Sequence, residues 1–126
     1  MSIHVLVVDD EPDLRLLVRL ALETFGYRIS EAGDGQQALD AIASDPPEVV
    51  LLDIKLPIVD GWEVLKRLRD EGSTLPIIML SAHASDSTYD MAMEAGCNGY
   101  IAKPFRPNEL HDVIEQAREA ATTATP

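Results

Sequence analysis

The feature of this sequence that most constrains its fold is a repeated alternation of short apolar runs with segments of helical periodicity. The apolar runs are 3–8, 27–32, 49–53, 76–81 and 100–102. Each is followed by a segment whose apolar residues recur every three or four positions, the pattern of a helix buried along one face. Strand-helix units joined by right-handed crossovers favour an open parallel sheet covered by helices on both faces. Five such units are too few for an eight-stranded barrel.

Proline, glycine and acidic residues mark the predicted ends of the helices. Pro12 suits the first turn of the first helix, and Gly26 suits its end. Asp60 is expected to cap the third helix. The last helix is predicted to end at about Ala121, which gives one domain over 1–121 and a disordered tail over 122–126.

Each predicted helix carries apolar positions that are expected to face the core, as the first and fourth helices illustrate. The first helix presents the stripe Leu14, Leu17, Val18, Ala21, Leu22 and Phe25. The fourth helix, predicted over 85–95, is expected to turn inward Met91, Ala92 and Ala95. A helix that covers one face of a sheet buries one such stripe against the strands and leaves its opposite face to water.

Composition restricts the partners of this domain. The chain has 126 residues, with 22 acidic and 10 basic side chains and a formal net charge of −12. Nucleic acids and anionic membranes bind clustered lysine and arginine, so neither is an expected direct partner. A single cysteine, Cys97, cannot form an internal disulfide. Because we find no secretory signal or membrane-spanning run, we expect a cytoplasmic protein.

Chemically active side chains stand at the ends of four predicted strands. The first strand ends in Asp9 and Asp10, the third in Asp53 and the fourth in Ser81, while the fifth leads into Lys103. The carboxyl ends of parallel strands share one edge of a sheet, where ligands of such folds bind. Three carboxylates brought together would repel one another unless a cation or a proton intervened. Mg²⁺, which prefers hard oxygen ligands, would remove that conflict.

This arrangement suggests phosphoryl chemistry, with one carboxylate as nucleophile and a metal ion screening its charge. Lys103 would place a second positive charge opposite the developing oxyanion. A simpler reading remains for the first motif, because Asp9 and Asp10 could merely cap the following helix. Asp53 is harder to explain in that way, since an acid that closes an apolar run is costly when it is buried unpaired.

Four ordered motifs resemble the receiver domain of two-component response regulators. They are 7–12, Val-Val-Asp-Asp-Glu-Pro; 53–61, Asp-Ile-Lys-Leu-Pro-Ile-Val-Asp-Gly; 80–82, Leu-Ser-Ala; and 99–105, Gly-Tyr-Ile-Ala-Lys-Pro-Phe. The resemblance extends from Ile3 to about Arg118. It implies an α/β fold of the flavodoxin-like, doubly wound type, with a five-stranded parallel sheet in the order 2-1-3-4-5 and five helices.

The resemblance also implies roles for the residues at the strand ends. Asp53 would accept a phosphoryl group from a sensor histidine kinase or a histidine phosphotransfer protein. Asp10 and Asp53 would bind Mg²⁺ directly, with Mn²⁺ as the other ion considered. Asp9 would bind the ion mainly through water, and Lys55 would contribute its backbone carbonyl.

Further roles concern the bound phosphoryl group and the response to it. Ser81 would donate a hydrogen bond to the phosphoryl group, and Lys103 would pair with it. Ser81 and Tyr100 would act as a switch that alters the surface of helix 4, strand 5 and helix 5. The resemblance also assigns structural roles at the site to Pro57, Gly61 and Pro104. It implies that the peptide bond between Lys103 and Pro104 is cis.

The implied protein is a phospho-accepting signalling domain of a phosphorelay rather than an enzyme, although it would assist its own phosphorylation and dephosphorylation. A downstream effector protein or domain is the expected partner, and a phosphorylation-dependent homodimer is left open. Lys55 and His83 stand at positions expected to tune the phosphoryl lifetime. The sequence leaves open the cognate kinase, and whether the chain is a stand-alone regulator or a receiver from a longer protein.

The enzymatic alternative is a Mg²⁺-dependent phosphohydrolase of the haloacid-dehalogenase type. Such enzymes carry a second Asp two residues after an Asp nucleophile on the first strand. Here Asp53 follows the third predicted strand, and Lys55 stands two residues later. The sequence therefore disfavours this alternative.

Overall fold

The computed structural model describes residues 2–82 and 86–123, which form five parallel strands and five helices. The strands are β1 (His4–Val8), β2 (Arg28–Ala32), β3 (Val49–Asp53), β4 (Ile77–Ser81) and β5 (Gly99–Ala102). They pair in the order β2-β1-β3-β4-β5. Every pairing is parallel. The prediction of a flavodoxin-like, doubly wound sheet in the order 2-1-3-4-5 is confirmed.

The helices cover the two faces of this sheet. They are α1 (Pro12–Glu23), α2 (Gly35–Ser44), α3 (Gly61–Asp70), α4 (Asp86–Glu94) and α5 (Pro107–Thr123). On one face α1 and α5 pack against one set of strand residues, and on the other face α2, α3 and α4 pack against the alternate set. Successive side chains of a strand point to opposite faces, which is why one apolar run serves both layers.

The strands β1, β3 and β4 are buried along their whole length. Their continuous apolar sequence has the composition expected of strands covered on both sides. The edge strand β2 differs, because its residues Arg28 and Glu31 are in contact with solvent. Burial of the inner strands places the acids at their ends beside the core, and Asp53 is itself the last residue of β3.

The predicted starts of α1 and α3 are confirmed. Asp60 caps α3 by accepting a hydrogen bond from the Glu63 amide at 2.9 Å. Asp34 caps α2 in the same way, at 2.7 Å from the Gln37 amide. Side-chain caps of this kind satisfy amide groups that have no partner within the helix. Pro12 opens α1, as predicted.

Several residues that are predicted to face the core are exposed instead. Met91, Leu17 and Phe25 are 57%, 65% and 37% exposed, and Ala95 is exposed as well. The buried stripe of α4, which packs against the edge strand β5, is narrower than predicted, because Ala92 is the one buried residue among 88–94. The last helix, α5, continues to Thr123 and passes the predicted start of the tail. The remainder of that predicted tail, 124–126, lies outside the described residues.

None of the helices in the described part of the chain combines the length and the apolar character that crossing a bilayer requires.

Candidate functional site

The carboxyl ends of β1 and β3 bring three acids together. One carboxylate oxygen each from Asp9, Asp10 and Asp53 lies within 4.8 Å of the others. Asp9 is 2% exposed and Asp53 7% exposed, whereas Asp10 faces solvent. The sequence predicts this meeting from the position of each acid at the end of a parallel strand, and the structure places them there.

One ammonium group faces these acids. Lys103 Nζ donates hydrogen bonds to Asp53 Oδ2 at 2.8 Å and to Asp9 Oδ2 at 3.1 Å. Lys103 follows β5 directly, and its amide donates to the Ser81 carbonyl at 2.8 Å. The Lys103–Pro104 peptide bond is cis, as the resemblance implies. Three carboxylates against one ammonium leave an excess of negative charge in a largely buried place.

Backbone amides hold the other oxygens of the two buried acids. The Lys55 amide donates to Asp53 Oδ1 at 3.1 Å, and the Glu11 amide donates to Asp9 Oδ1 at 2.9 Å. Each amide lies two residues after its acid, the local turn that aspartate side chains favour. Both buried carboxylates are therefore oriented from two sides, by a backbone amide and by Lys103.

The surroundings shift the protonation equilibria of Asp53 and Lys103. Burial raises the pKa of Asp53, and the charge of Asp9 raises it further, while the hydrogen bond and charge of Lys103 act against this increase. Burial alone would lower the pKa of Lys103, but its hydrogen bonds and charge interactions with Asp53 and Asp9 outweigh burial and raise that pKa. Additional positive charge at the site would favour the ionised form of Asp53.

A cavity of about 260 Å³ opens beside these groups. Its lining residues are Asp10, Glu11, Asp53, Ile54, Lys55, Ser81, Ala82 and Lys103. Ser81 ends β4 and is 6% exposed. The cavity thus collects a carboxylate, a hydroxyl and an ammonium group, which are the groups needed to accept and hold a phosphoryl group.

The donor set fits a hard divalent cation. Carboxylate oxygens from three residues lie close enough for one ion to contact, and the exposed Asp10 leaves one side open to water. Mg²⁺ prefers oxygen ligands and usually retains several waters. Lys55, whose backbone carbonyl is the further expected ligand, lines the same cavity.

The loop between β3 and α3 packs tightly against the end of β3. Gly61 donates its amide to the Ile54 carbonyl at 2.8 Å. A Cβ atom added to Gly61 would collide with the backbone carbonyl of Asp53. The predicted structural role of Gly61 therefore has a steric basis, because only glycine allows α3 to begin this close to the end of β3.

A tight turn follows within the same loop. The Val59 amide donates to the Pro57 carbonyl at 2.8 Å, and Ile58 between them has a φ of 69°. A β-branched residue rarely adopts this left-handed conformation, so the turn is strained. Ile58 is also 80% exposed. The sequence gives no sign of this strain, because Leu-Pro-Ile-Val reads as an ordinary apolar stretch.

Tyr100, the predicted switch residue, lies outside the cavity. It pairs in register with Met79 of β4, two positions before the pairing of Ala102 with Ser81. Its half-buried ring makes an edge contact with the ring of Tyr89 in α4, at 5.8 Å between centroids and 83° between planes. Tyr100 thus joins β5 to α4 near Ser81. The predicted effect of His83 on phosphoryl lifetime falls outside the described residues.

Sequence reasoning missed one residue at the site, Arg15 of α1. Its Nη1 donates to the backbone carbonyl of Asp9 at 2.6 Å. Its Nε donates to Glu31 of β2 at 3.1 Å. A single sequence could not reveal the first contact, because the acceptor is a backbone atom that any residue would supply.

Comparisons with known proteins agree with this geometry. The family model described as response regulator receiver domain matches residues 5–115. Response regulator MprA of Mycolicibacterium vanbaalenii is 44% identical over 110 residues, which are 87% of this chain and 48% of that protein. The chain therefore spans about half the length of the curated relatives that it matches.

Solved structures show the same fold. The receiver domain of the Francisella response regulator 1452 superposes with a TM-score of 0.90 and 30% identity, covering 94% of this chain and 98% of that one. NtrX from Brucella abortus gives a TM-score of 0.90 and 36% identity over 98% of this chain but 28% of its own. These comparisons do not support the phosphohydrolase alternative.

Proposed function

Because the chain belongs to the response regulator receiver family, the signalling domains of two-component systems, we propose that it accepts a phosphoryl group on Asp53. The donor would be a sensor histidine kinase or a histidine phosphotransfer protein. The observation that carries this proposal is the position of Asp53, buried at the end of β3 and hydrogen-bonded to Lys103 beside Asp9 and Asp10. Its carboxylate faces a cavity large enough for a phosphoryl group.

The transfer replaces one bond to phosphorus by another. A carboxylate oxygen of Asp53 attacks the phosphorus of the donor phosphohistidine, and the phosphorus–nitrogen bond breaks with its electron pair returning to the imidazole. Lys103 compensates the negative charge of the transferred group, and the hydroxyl of Ser81 donates a hydrogen bond to one of its oxygens. Both groups line the cavity, so little rearrangement is required before they act.

The residues expected to hold Mg²⁺, or Mn²⁺ in its place, are Asp10 and Asp53 through their side chains, Lys55 through its carbonyl and Asp9 through water. When bound, the ion supplies positive charge that screens the carboxylates from the incoming phosphoryl oxygens. The three clustered carboxylates support this assignment. Asp9 also accepts from Lys103, which keeps that ammonium directed towards Asp53.

Phosphorylation would then alter the surface formed by α4, β5 and α5. New acceptor oxygens on Asp53 would draw the Ser81 hydroxyl inward, and Tyr100 would move into the space near Ser81. The pairing of Ser81 with Ala102 supports this link, because Tyr100 lies on the same strand as Ala102, two positions earlier. A downstream effector protein or domain would recognise the altered surface, and a phosphorylation-dependent homodimer remains a further candidate.

Because the net charge is −12, we propose that this domain makes no direct contact with nucleic acid or membrane. We further propose a cytoplasmic location, which is typical of response regulators.

The phosphorylation proposal is tested by incubating the protein with MgCl₂ and the small phosphodonor acetyl phosphate, and measuring the intact mass. Wild type should gain one phosphoryl group, and Asp53→Asn should gain none, because an amide cannot act as the nucleophile. Asp70→Asn, which changes an exposed acid of α3 that pairs with Lys66, is the matched control and should be labelled like wild type. Equal labelling of wild type and Asp53→Asn would contradict the proposal.

The proposed switch is tested with Tyr100→Ala. The variant should be phosphorylated like wild type but should lose most of the change in amide exchange across α4, β5 and α5 that follows phosphorylation. Loss of phosphorylation itself would contradict the assignment of Tyr100 to the switch, because it would place the residue in the transfer reaction.

A further inference from the structure

The backbone of Asp9 is held on both sides. Its amide donates to the Ala32 carbonyl at the end of β2, at 3.1 Å, and its carbonyl accepts from Arg15 Nη1 at 2.6 Å. The peptide unit from Asp9 to Asp10 is planar, so a contact at the Asp9 carbonyl also sets the orientation of the Asp10 amide. One arginine thereby constrains the direction in which two acids of the site leave the chain.

Arg15 is itself anchored to the neighbouring strand. Its Nε donates to Glu31 Oε1 at 3.1 Å, and the other oxygen of Glu31 accepts from Arg19 Nη1 at 3.0 Å. The Arg15 and Glu31 side chains are 19% and 26% exposed, so both are partly withdrawn from water. The planar guanidinium can donate in two directions at once, which the single ammonium of lysine cannot reproduce with the same geometry.

Space for this guanidinium depends on Gly33. A Cβ atom added to Gly33 would lie 3.3 Å from Arg15 Nη1, and the Gly33 amide is held by Gln37 Oε1 at 2.9 Å. A larger residue would therefore crowd the same nitrogen that bonds the Asp9 carbonyl. Gly33, directly after β2, thus leaves room for Arg15, while Glu31 within β2 supplies its anion.

We propose that Arg15, held by Glu31, is a positioning residue for the metal site formed by Asp9, Asp10 and Asp53. This inference rests on the proposed function, because it concerns Mg²⁺ binding at that site. Arg15 contacts neither the cation nor the phosphoryl group. It fixes the peptide that carries the first two acids, so that their carboxylates meet that of Asp53 without a search over loop conformations.

A purely structural role would have a different signature. A partly exposed ion pair contributes little to stability, and its loss would affect unfolding without a selective effect on metal binding. By contrast, removing a group that orients a metal ligand lowers metal affinity by about tenfold or more. Metal affinity and stability therefore separate the two roles.

The test is a titration of the protein with MgCl₂ alone, in which Mg²⁺ binding is measured from the amide chemical shifts of the loop after β1. Arg15→Ala should raise the dissociation constant for Mg²⁺ about tenfold, and Glu31→Gln about threefold, because the second variant weakens only the anchor. The dissociation constant of Arg15→Lys for Mg²⁺ should lie between those of Arg15→Ala and wild type. Arg28→Ala is the matched control, since it breaks an exposed pair of β2 with Asp45 and should leave the constant unchanged.

Two results would overturn the inference, and they are distinguishable. If wild type binds Mg²⁺ and both Arg15→Ala and Glu31→Gln bind it within about twofold of wild type, the positioning role is wrong while the proposed function stands. If wild type itself shows no response to MgCl₂, the metal assignment in the proposed function is wrong and this inference falls with it. Unfolding of each variant in magnesium-free buffer verifies that the compared proteins are folded.

Discussion

Two polar clusters of this molecule can be compared, because they distribute charge in opposite ways. One is the acidic site at the carboxyl ends of β1 and β3. The other, called here the Tyr27 junction, consists of Tyr27, His111, Glu115 and Arg118, where β2 begins beside α5. Tyr27 is 6% exposed, while the Glu115 and Arg118 side chains are 33% and 30% exposed.

The Tyr27 junction is balanced. The Tyr27 hydroxyl donates to Glu115 Oε2 at 2.6 Å and lies 2.8 Å from His111 Nδ1. Glu115 Oε1 accepts from Arg118 Nη1 at 2.6 Å, and the ring of Phe25 stacks on His111 with centroids 4.3 Å apart. One carboxylate meets one guanidinium, and the hydroxyl has partners on both sides. Such an arrangement stabilises the packing of α1 and α5.

The acidic site is unbalanced. Among the described residues, Lys103 is the one whose cationic side chain forms salt bridges with Asp9 and Asp53. Asp10 adds a third carboxylate, and burial raises the pKa of Asp53. The adjacent loop adds backbone strain at Ile58, the one residue other than glycine with a positive φ among those described. Charge is thus balanced at the Tyr27 junction, and negative charge is in excess at the site where we propose that Mg²⁺ binds.

The largest expected effect on stability comes from removing the ammonium group of Lys103, which pairs with Asp9 and Asp53. Lys103→Met should lower the free energy of unfolding by about 2 kcal/mol in magnesium-free buffer, because it leaves buried carboxylates without their partner. Lys66→Met, which breaks an exposed pair with Asp70, should change it by less than about 0.5 kcal/mol. Urea unfolding measures both. Equal losses of unfolding free energy in the two variants would show that the acidic site depends on its cation no more than an exposed ion pair does.

A smaller loss of unfolding free energy is expected at the Tyr27 junction. Tyr27→Phe should cost about 1 kcal/mol at neutral pH, because Glu115 loses a donor. Burial, followed by the hydrogen bond and charge of Glu115, raises the pKa of Tyr27. Tyr27 therefore contributes stability that is fully present below the unfolded pKa of about 10 and is lost as the pH rises above it.

Tyr27→Phe should consequently lose stability less steeply than wild type between about pH 9.5 and 11. Both proteins retain Lys103, whose raised pKa adds the same alkaline decline to each. Unfolding free energies measured across this range compare the slopes. Parallel curves would mean that the hydroxyl of Tyr27 is not held in its neutral form by the junction.

The smallest expected effect is a gain. Ile58→Gly should raise the free energy of unfolding by up to about 1 kcal/mol, because glycine adopts a positive φ without strain and the lost side chain is 80% exposed. Ile58→Ala removes the same exposed surface but retains Cβ, so it should change stability little. A gain of the same size for both variants would assign the effect to surface hydrophobicity and not to strain.

Much of the fold could be predicted because its signals are local. The strand Val49–Asp53 was predicted to the residue, since a continuous apolar run lies between prolines and an acid. The acids of the site could also be predicted, because parallel strands all deliver their last residues to one edge. The capping role of Asp60 could likewise be predicted, because its own side chain makes the capping hydrogen bond.

The remainder depends on contacts that a single sequence does not encode locally. Tyr27 and His111 are 84 positions apart, and nothing near either residue specifies the other. Arg15 bonds a backbone carbonyl, which has no residue type. The exposure of Met91 and Leu17 depends on how much of each helix the edge of the sheet covers, and periodicity reports only the direction of a stripe.

We propose that the excess of negative charge at the site serves Mg²⁺-dependent phosphorylation of Asp53. The decisive measurement is the phosphorylated fraction of wild type with acetyl phosphate as MgCl₂ is titrated from zero, with the modified peptide identified by mass spectrometry. Labelling should rise with Mg²⁺ to a plateau and map to Asp53. Labelling that is independent of Mg²⁺, or that maps to another residue, would be incompatible with this role.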